Sequence, residues 1–339
     1  MKAAVLGAGG WGTTLAILLS KNGCKTTLWE YNKDYAETLD EYRENFYYLP
    51  KVKIPRNIKI TYEAEKPFHE NEILLFAVPT QYIRNSFKDY KGFDLRGKTI
   101  ISASKGIENG TYFLVSDILS DIFRVSKSKL SCLSGPSHAE EVSRKIPTTV
   151  TCAANDIKLA KQISEIFSND YFRVYSNNDL VGTELAGALK NVIAIAAGIS
   201  DGAGFGDNTK AALMTRGMRE IMRLGTLLGA KKETFFGLSG IGDLIVTCSS
   251  KHSRNRYVGE RIGKGEKLNS ILKEMKMVAE GVSTTKSVFE LSKNFKIELP
   301  ITHKVYDVLF NDVSAHKAML DLMKRKLKTE SENKDYGLI

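Results

Sequence analysis

The chain has 339 residues, 42% hydrophobic and 26% charged, enough for two cores of ordinary globular composition. Its formal charge of +10 comes with scattered lysines and no RNP, zinc-finger or helix-turn-helix pattern, so nucleic acid is not an expected partner. The first residues carry no basic and apolar leader, and no uninterrupted apolar run approaches the roughly twenty residues that span a bilayer, so no transmembrane segment and a cytoplasmic location are expected. Cys24, Cys132, Cys152, Cys248 and the five histidines show no ligand spacing, which predicts neither a disulfide framework nor a metal site.

Residues 2 to 6 read as a short buried strand, followed by Gly7-Ala8-Gly9-Gly10-Trp11-Gly12, an apolar helix from Thr13 to Ser20, a stop at Asn22-Gly23, and a second strand from Lys25 to Trp29. Gly7 permits a tight strand-to-helix turn, Gly9 leaves room for a pyrophosphate against the backbone, and Gly12 lets the helix lie close to the sheet. The pattern is a dinucleotide-binding fingerprint, with the phosphates expected on the helix N-terminus, where unpaired N–H groups favour an anion. Glu30, eighteen residues past Gly12, stands where a carboxylate accepts hydrogen bonds from the adenosine ribose hydroxyls. A carboxylate there repels a 2′-phosphate and Tyr31-Asn32 offers no arginine, so NAD(H) is favoured; Lys33 keeps NADP(H) open. The cofactor candidates in this stretch are Gly7, Gly9, Gly10, Gly12, Glu30 and Tyr31.

Apolar runs recur at 72–78, 98–102, 130–134, 147–152 and 171–175, separated by helix-length segments. This alternation predicts a mainly parallel sheet covered by helices, an α/β Rossmann-type dinucleotide-binding domain over residues 1–180, with ligands at the carboxyl ends of the strands. Lys105, followed by Gly106, lies just past one strand end and points to the ligand edge. Gly135-Pro136-Ser137-His138-Ala139 follows another and offers backbone N–H groups to a nicotinamide or substrate. His138 reads equally as a general acid or as a helix cap.

From Asp179 the texture turns helical, over 181–199, 208–229, 254–263, 281–294, 299–310 and 315–327, which predicts an all-helical substrate and catalytic domain over 181–327 and a polar tail over 328–339 that frays. Hydride transfer to a ketone develops alkoxide charge and needs a proton donor or cation at the oxygen. Lys190, set in the small and apolar Gly187-Ala188-Leu189-Lys190-Asn191-Val192, is the catalytic candidate, with a lysine that snorkels to the surface as the alternative. Gly237-Leu238-Ser239-Gly240-Ile241-Gly242-Asp243 ends in an acid that could orient Lys190 or bond a substrate hydroxyl. In His252-Ser253-Arg254-Asn255-Arg256 a serine N-cap opens a helix suited to cradle a phosphate.

Taken together, GAGGWGTTLA at 7–16, AVPTQ at 77–81, SASKGIE at 102–108, LSGPSHAEEV at 133–142, ELAGALKNVIAIAAGI at 184–199, LSGIGDLIVTC at 238–248, HSRNR at 252–256 and VAEGVSTTKSV at 278–288 closely resemble bacterial NAD(P)-dependent glycerol-3-phosphate dehydrogenase, in order and spacing over nearly the whole chain. The resemblance implies reversible NAD(P)H-linked reduction of dihydroxyacetone phosphate to sn-glycerol 3-phosphate for phospholipid synthesis. It implies Lys190 as the catalytic lysine and Lys105 as the lysine touching both cofactor and substrate. Gly135, Ser137, Asp243, Ser253, Arg254 and Asn255 are implied as substrate contacts, with Arg254 also reaching the dinucleotide. Trp11, Ala139, Val278 and Glu280 resemble further cofactor contacts, Asn191 and Thr247 lesser substrate contacts, and a homodimer is in keeping with the family. Where the family often has Trp-Ala-Arg, this chain has Trp29-Glu30-Tyr31, which again favours NADH. The rival readings are a dehydrogenase of the 6-phosphogluconate or 3-hydroxyacyl type and a regulator that binds NADH without turnover.

Overall fold

The first strand, β1 (Lys2–Leu6), is made of small and aliphatic residues after Lys2, and all four of them are buried, as a strand covered on both faces requires. The structure is a computed structural model, and it describes residues 1–63, 65–327 and 329–330; apart from 329–330, the expected polar tail over 328–339 lies outside the described residues. Among the described residues nine further strands follow: β2 (Lys25–Trp29), β3 (Glu44–Asn45), β4 (Leu49–Lys53), β5 (Lys59–Thr61), β6 (Ile73–Phe76), β7 (Thr99–Ser102), β8 (Leu130–Ser134), β9 (Thr148–Ala154) and β10 (Phe172–Asn177). Eight of the ten, β1 included, form one sheet in the order β10-β9-β8-β7-β6-β1-β2-β5. Among the described residues its pairs are parallel except β8 with β9, where Cys132 faces Ala153 in an antiparallel register.

The period of two along each strand sorts side chains into two cores. Ala3, Val5, Ile73 and Leu75 point into one cluster, shared with Leu15, Leu19 and Phe167. Ala4, Leu6, Leu74 and Phe76 point into the other, with Phe68, Phe87 and Ile118. β1 stands between β2 and β6, so the chain order reverses there, and a crevice at the carboxyl ends of β1 and β6 is where such sheets take ligands. β3 and β4 pair only with each other, as a small antiparallel hairpin.

The chain divides into two compact units, one of Met1–Lys105 with Phe113–Leu180, the other of Gly106–Tyr112 with the residues from Val181 onward. In the second unit, segment 106–112 is tied to the Glu280–Asn294 helix through Ser287, whose Oγ lies 2.7 Å from Asn109 Oδ1 and 3.2 Å from the Ile107 carbonyl. The other long helices of that unit are Leu180–Gly202, Asp207–Leu227, Arg254–Gly263, Pro300–Phe310 and Ala315–Met323. The Leu180–Gly202 helix is long and apolar enough to cross a membrane by composition, but 94% of its most apolar window is buried inside the protein, as in a core helix. Small residues let its backbone touch a neighbour: a Cβ on Gly198 would stand 2.0 Å from the Arg256 carbonyl oxygen. This contact fixes the start of the Arg254–Gly263 helix against the helix that carries Lys190.

The Ala315–Met323 helix ends at Met323 and not at 327, because Lys324-Arg325-Lys326 brings three like charges in succession and no apolar residue to bury.

Candidate active site

In the sheet unit the glycine-rich turn joins β1 to the Gly10–Lys21 helix. Gly7 has φ +117°, and a Cβ on it would meet the Ala77 carbonyl oxygen at 2.9 Å. A Cβ on Gly12 would meet the Gly7 carbonyl oxygen at 1.9 Å, so helix and turn can close only with glycine there. Gly9 differs from both: it precedes the helix as its N-cap, and a Cβ on it would meet no protein atom within 4 Å. No side chain caps this helix among the described residues, and the Trp11 indole Nε1 next to the turn is buried without a partner. An uncapped helix start, clear space at Gly9 and an orphaned donor fit the phosphates of a dinucleotide. Gly10 also has a packing reason, since a Cβ on it would stand 2.5 Å from the Tyr48 carbonyl oxygen.

Glu30 follows β2 and accepts a hydrogen bond from the Asn32 N–H at 3.0 Å. Burial pushes its carboxyl above the usual carboxylate range, while the N–H groups of Asn32, Ala8 and Tyr31 pull it back toward the ionised form. The acid therefore sits beside the glycine turn, with Tyr31 next to it 70% exposed. Lys33 is directed elsewhere, 3.9 Å from Glu37 and over the Tyr62 ring.

Lys105, Gly135, Ser137 and Ala139 gather at the ends of β7 and β8. Lys105 Nζ and Ser137 Oγ both donate to the Gly135 carbonyl, at 3.0 and 2.9 Å. Gly135 has φ +135°, and a Cβ on it would press to 3.0 Å from Val150 Cα. His138 is the N-cap of the Ala139–Val142 helix through its backbone carbonyl, without a capping bond from its ring. Thr14, on the first helix, spans 3.4 Å to the Ala139 carbonyl and so joins this loop to the glycine turn.

The helical unit holds the charged chemistry. A π-helical turn over Leu238–Gly242 leads into the Asp243–Ser249 helix and sets Asp243 and Thr247 one turn apart. Lys190 Nζ donates to Asp243 Oδ1 at 3.0 Å and to Thr247 Oγ1 at 2.6 Å, and Thr247 in turn donates to the Asp243 carbonyl at 2.6 Å. Lys190 is 7% exposed and Asp243 2%, so this lysine does not reach out to solvent.

Beside the pair, Asn255 Nδ2 donates to Asn191 Oδ1 and Asn255 Oδ1 accepts from the Gly281 N–H, both at 2.9 Å. A Cβ on Gly281 would crowd Asn255 Oδ1 and the Asn191 carbonyl to 2.7 Å. Ser253 caps the Arg254–Gly263 helix, its Oγ accepting from the Arg256 N–H at 3.2 Å. Arg256 is committed to Asp201 at 2.7 Å, whereas Arg254 at the helix start is exposed. Val278 and Glu280 flank the N-cap Ala279 of the next helix. Cys248 is fully buried, which pushes its thiol up to about 12 and makes it inert packing.

One residue that no motif flagged, Asn45 in the β3–β4 hairpin, donates to the Ala8 carbonyl at 2.7 Å. A single asparagine in a charged stretch carries no pattern that could have marked it.

A parallel sheet with a glycine-rich turn at its order reversal, followed by a helical unit with a buried Lys–Asp pair, defines a dinucleotide-dependent oxidoreductase. Residues 2–160 match the family model described as NAD-dependent glycerol-3-phosphate dehydrogenase N-terminus, and residues 179–320 match the C-terminus of the same family. The chain is 48% identical over 333 residues to the glycerol-3-phosphate dehydrogenase (NAD(P)+) of Pelodictyon phaeoclathratiforme, covering 98% of this chain and 100% of that protein. It is 50% identical over 327 residues to the enzyme of the same name from Prosthecochloris aestuarii, covering 96% and 98%. The crystal structure of glycerol-3-phosphate dehydrogenase from Coxiella burnetii superposes with a TM-score of 0.91 at 34% identity, over 96% of this chain and 99% of that one. The chain belongs to the NAD-dependent glycerol-3-phosphate dehydrogenase family.

Proposed function

We propose that Lys190, held by Asp243 and Thr247, is the proton donor and acceptor of an NAD(P)-dependent glycerol-3-phosphate dehydrogenase that interconverts dihydroxyacetone phosphate and sn-glycerol 3-phosphate. The observation that carries this reading is a lysine ammonium buried in a helix of small residues and paired with a buried carboxylate. An ion pair taken out of water contributes little to stability, so its retention speaks for chemistry.

Bound at the glycine turn, the reduced dinucleotide supplies the hydride. As charge develops on the C2 oxygen of the ketone, the Lys190 ammonium polarises that oxygen and passes it a proton; in the reverse direction the amine takes the hydroxyl proton. Asp243 and Thr247 hold Nζ in place, and the Asp243 carboxylate offsets its charge. The helix start at Ser253, where the serine Oγ caps the Arg256 N–H, binds the substrate phosphate together with Arg254 and Asn255. Asn191 steadies Asn255. Lys105, Gly135 and Ser137 serve the substrate from the strand ends, with Lys105 also toward the cofactor. Trp11, Ala139, Arg254, Val278 and Glu280 complete the cofactor contacts, and Glu30 selects NADH. The reading extends to a cytoplasmic homodimer supplying the glycerol backbone of phospholipids, its assembly testable by sedimentation.

The test is oxidation of NADH and of NADPH with dihydroxyacetone phosphate, by the protein and by Lys190→Ala. Turnover with NADH that collapses in the variant is the expected result. Dinucleotide binding without turnover of this ketone would overturn the reading.

A further inference from the structure

We infer that Asn45 is a positioning residue of the dinucleotide site, fixing the glycine-rich turn from outside the motif; the inference rests on the dinucleotide reading of that turn. Asn45 lies 37 residues beyond Ala8, at the end of β3, and is completely buried. A side-chain amide has two N–H donors and a carbonyl with two lone pairs. Here all four capacities are met: Nδ2 donates to the Ala8 carbonyl at 2.7 Å and to Thr13 Oγ1 at 2.8 Å, while Oδ1 accepts from the Tyr35 hydroxyl at 2.5 Å and from the Tyr48 N–H at 3.1 Å.

The two halves of the amide face different structures. The donors hold both sides of the helix start, Ala8 before the N-cap Gly9 and Thr13 in the first turn. The acceptor holds the hairpin and the Lys33–Tyr42 helix, which carries Tyr35. The hairpin in turn presses on the motif, because the Tyr48 carbonyl lies where a side chain at Gly10 would be.

The consequence for a ligand follows from peptide geometry. In a trans peptide the C=O and the next N–H point to opposite sides. Drawing the Ala8 carbonyl toward Asn45 turns the Gly9 N–H away from the hairpin, and that N–H has no partner among the described residues. Gly9 is also the position where a Cβ would stand in open space. Asn45 thus holds the Ala8–Gly9 peptide in the orientation that presents a donor to an incoming phosphate.

Asn45→Asp separates the two halves. The carboxylate still accepts from Tyr35 and Tyr48, so the hairpin keeps its anchor, but both donors are lost and an anion faces the Ala8 carbonyl. Tyr35→Phe does the reverse, removing a hairpin-side partner and leaving both donors. Direct NADH titration, followed by quenching of protein fluorescence, is measured with steady-state kinetics and apo thermal midpoints. Asn45→Asp is expected to raise the NADH Kd and KM by about tenfold, the loss of one to two net hydrogen bonds, with kcat and the KM for the ketone within about twofold. Tyr35→Phe is expected to change NADH binding by less than about twofold. Equal weakening by both variants, or an unchanged NADH Kd in Asn45→Asp, would overturn the inference. If Asn45→Asp does not fold, Thr13→Val, which removes one turn-side acceptor of Asn45 and Thr13's own 3.3 Å bond to the Ala8 carbonyl, carries the same expectation in the same direction and the same overturning result. Wild-type protein that fails to bind NADH defeats the dinucleotide reading itself, a result distinct from a variant that binds as well as wild type.

Discussion

The glycine-rich turn and the Lys190 cluster reach opposite solutions to the problem of handling charge. In the proposed reading the turn receives an anion without a charged side chain in its loop: Gly7, Gly9 and Gly12 shape the backbone, and the helix start supplies partial charge through its N–H groups. The cluster does the reverse, burying an ammonium, balancing it with the Asp243 carboxylate and fixing it with the Thr247 hydroxyl. Shape is what the first region cannot lose, and charge is what the second cannot lose. Substitutions should therefore separate, with affinity for the dinucleotide governed by one region and the rate of proton transfer by the other.

The largest expected effect tests that separation at the cluster. Lys190→Ala is expected to lower kcat about a thousandfold, the range for loss of a general acid, while the NADH Kd stays within about twofold. It also strands Asp243 in a buried site, at a cost of roughly 3 kcal/mol. Equal losses in kcat and in NADH binding would break the comparison, because the cluster would then be shaping the cofactor site.

A buried titratable group in the helical unit outside the cluster acts on stability alone. Glu220 receives the Ile301 and Thr302 N–H groups at 2.6 and 3.0 Å and the Thr302 hydroxyl at 2.9 Å, closing the start of the Pro300–Phe310 helix. Burial nevertheless raises its carboxyl from 4.5 to about 7, with these donors and Arg223 opposing the shift. A folded-state value above the unfolded one means the native protein holds the extra proton, so this contribution is full below about 4.5 and is lost as pH rises through about 7. The span corresponds to about 3 kcal/mol. Glu220→Gln, neutral throughout, should flatten the difference in thermal midpoint across that window and leave kcat unchanged; a profile parallel to wild type would remove Glu220 as its source.

At the turn, Gly9→Ala is expected to raise the NADH Kd about tenfold or more while the apo thermal midpoint stays within a few degrees, because the new Cβ meets no protein atom within 4 Å and takes space that the dinucleotide reading assigns to a phosphate. A large loss of apo stability would show that Gly9 serves the fold, as Gly12 does.

The two regions were also unequally legible in the sequence. The short apolar run in Lys2–Leu6 and the spacing of Gly7, Gly9 and Gly12 report directly on a buried parallel strand and a tight turn, since both follow from local rules of backbone and burial. Lys190 stood out because a charge among alanines and leucines needs a reason. Its partners were less plain: Asp243 and Thr247 meet Lys190 only because a π-helical turn sets the direction of their helix. Arg254 and Arg256 look alike in sequence, and the difference between them is made by Asp201, more than fifty residues away. The hairpin of residues 44–53 carried no strand signal, having Pro50, two lysines and short arms. Asn45, whose four bonds are all made to other segments or across that hairpin, went unread with it.

The smallest expected effect concerns selectivity within the turn region, where one charged side chain does intrude. Glu30 lies beside the turn, with the N–H groups of Ala8, Tyr31 and Asn32 directed at its carboxylate. Its charge disfavours a 2′-phosphate, and its oxygens suit ribose hydroxyls. Glu30→Gln keeps an acceptor for the hydroxyls and removes the charge, so NADH binding should weaken only about twofold while the ratio of kcat/KM for NADPH over NADH rises about tenfold, as expected for loss of one close like-charge contact. The same ratio measured at higher salt should shift less, because the repulsion is partly screened. A ratio unchanged by the substitution would mean that Glu30 serves only to cap Asn32, and selectivity would then have to come from backbone shape alone.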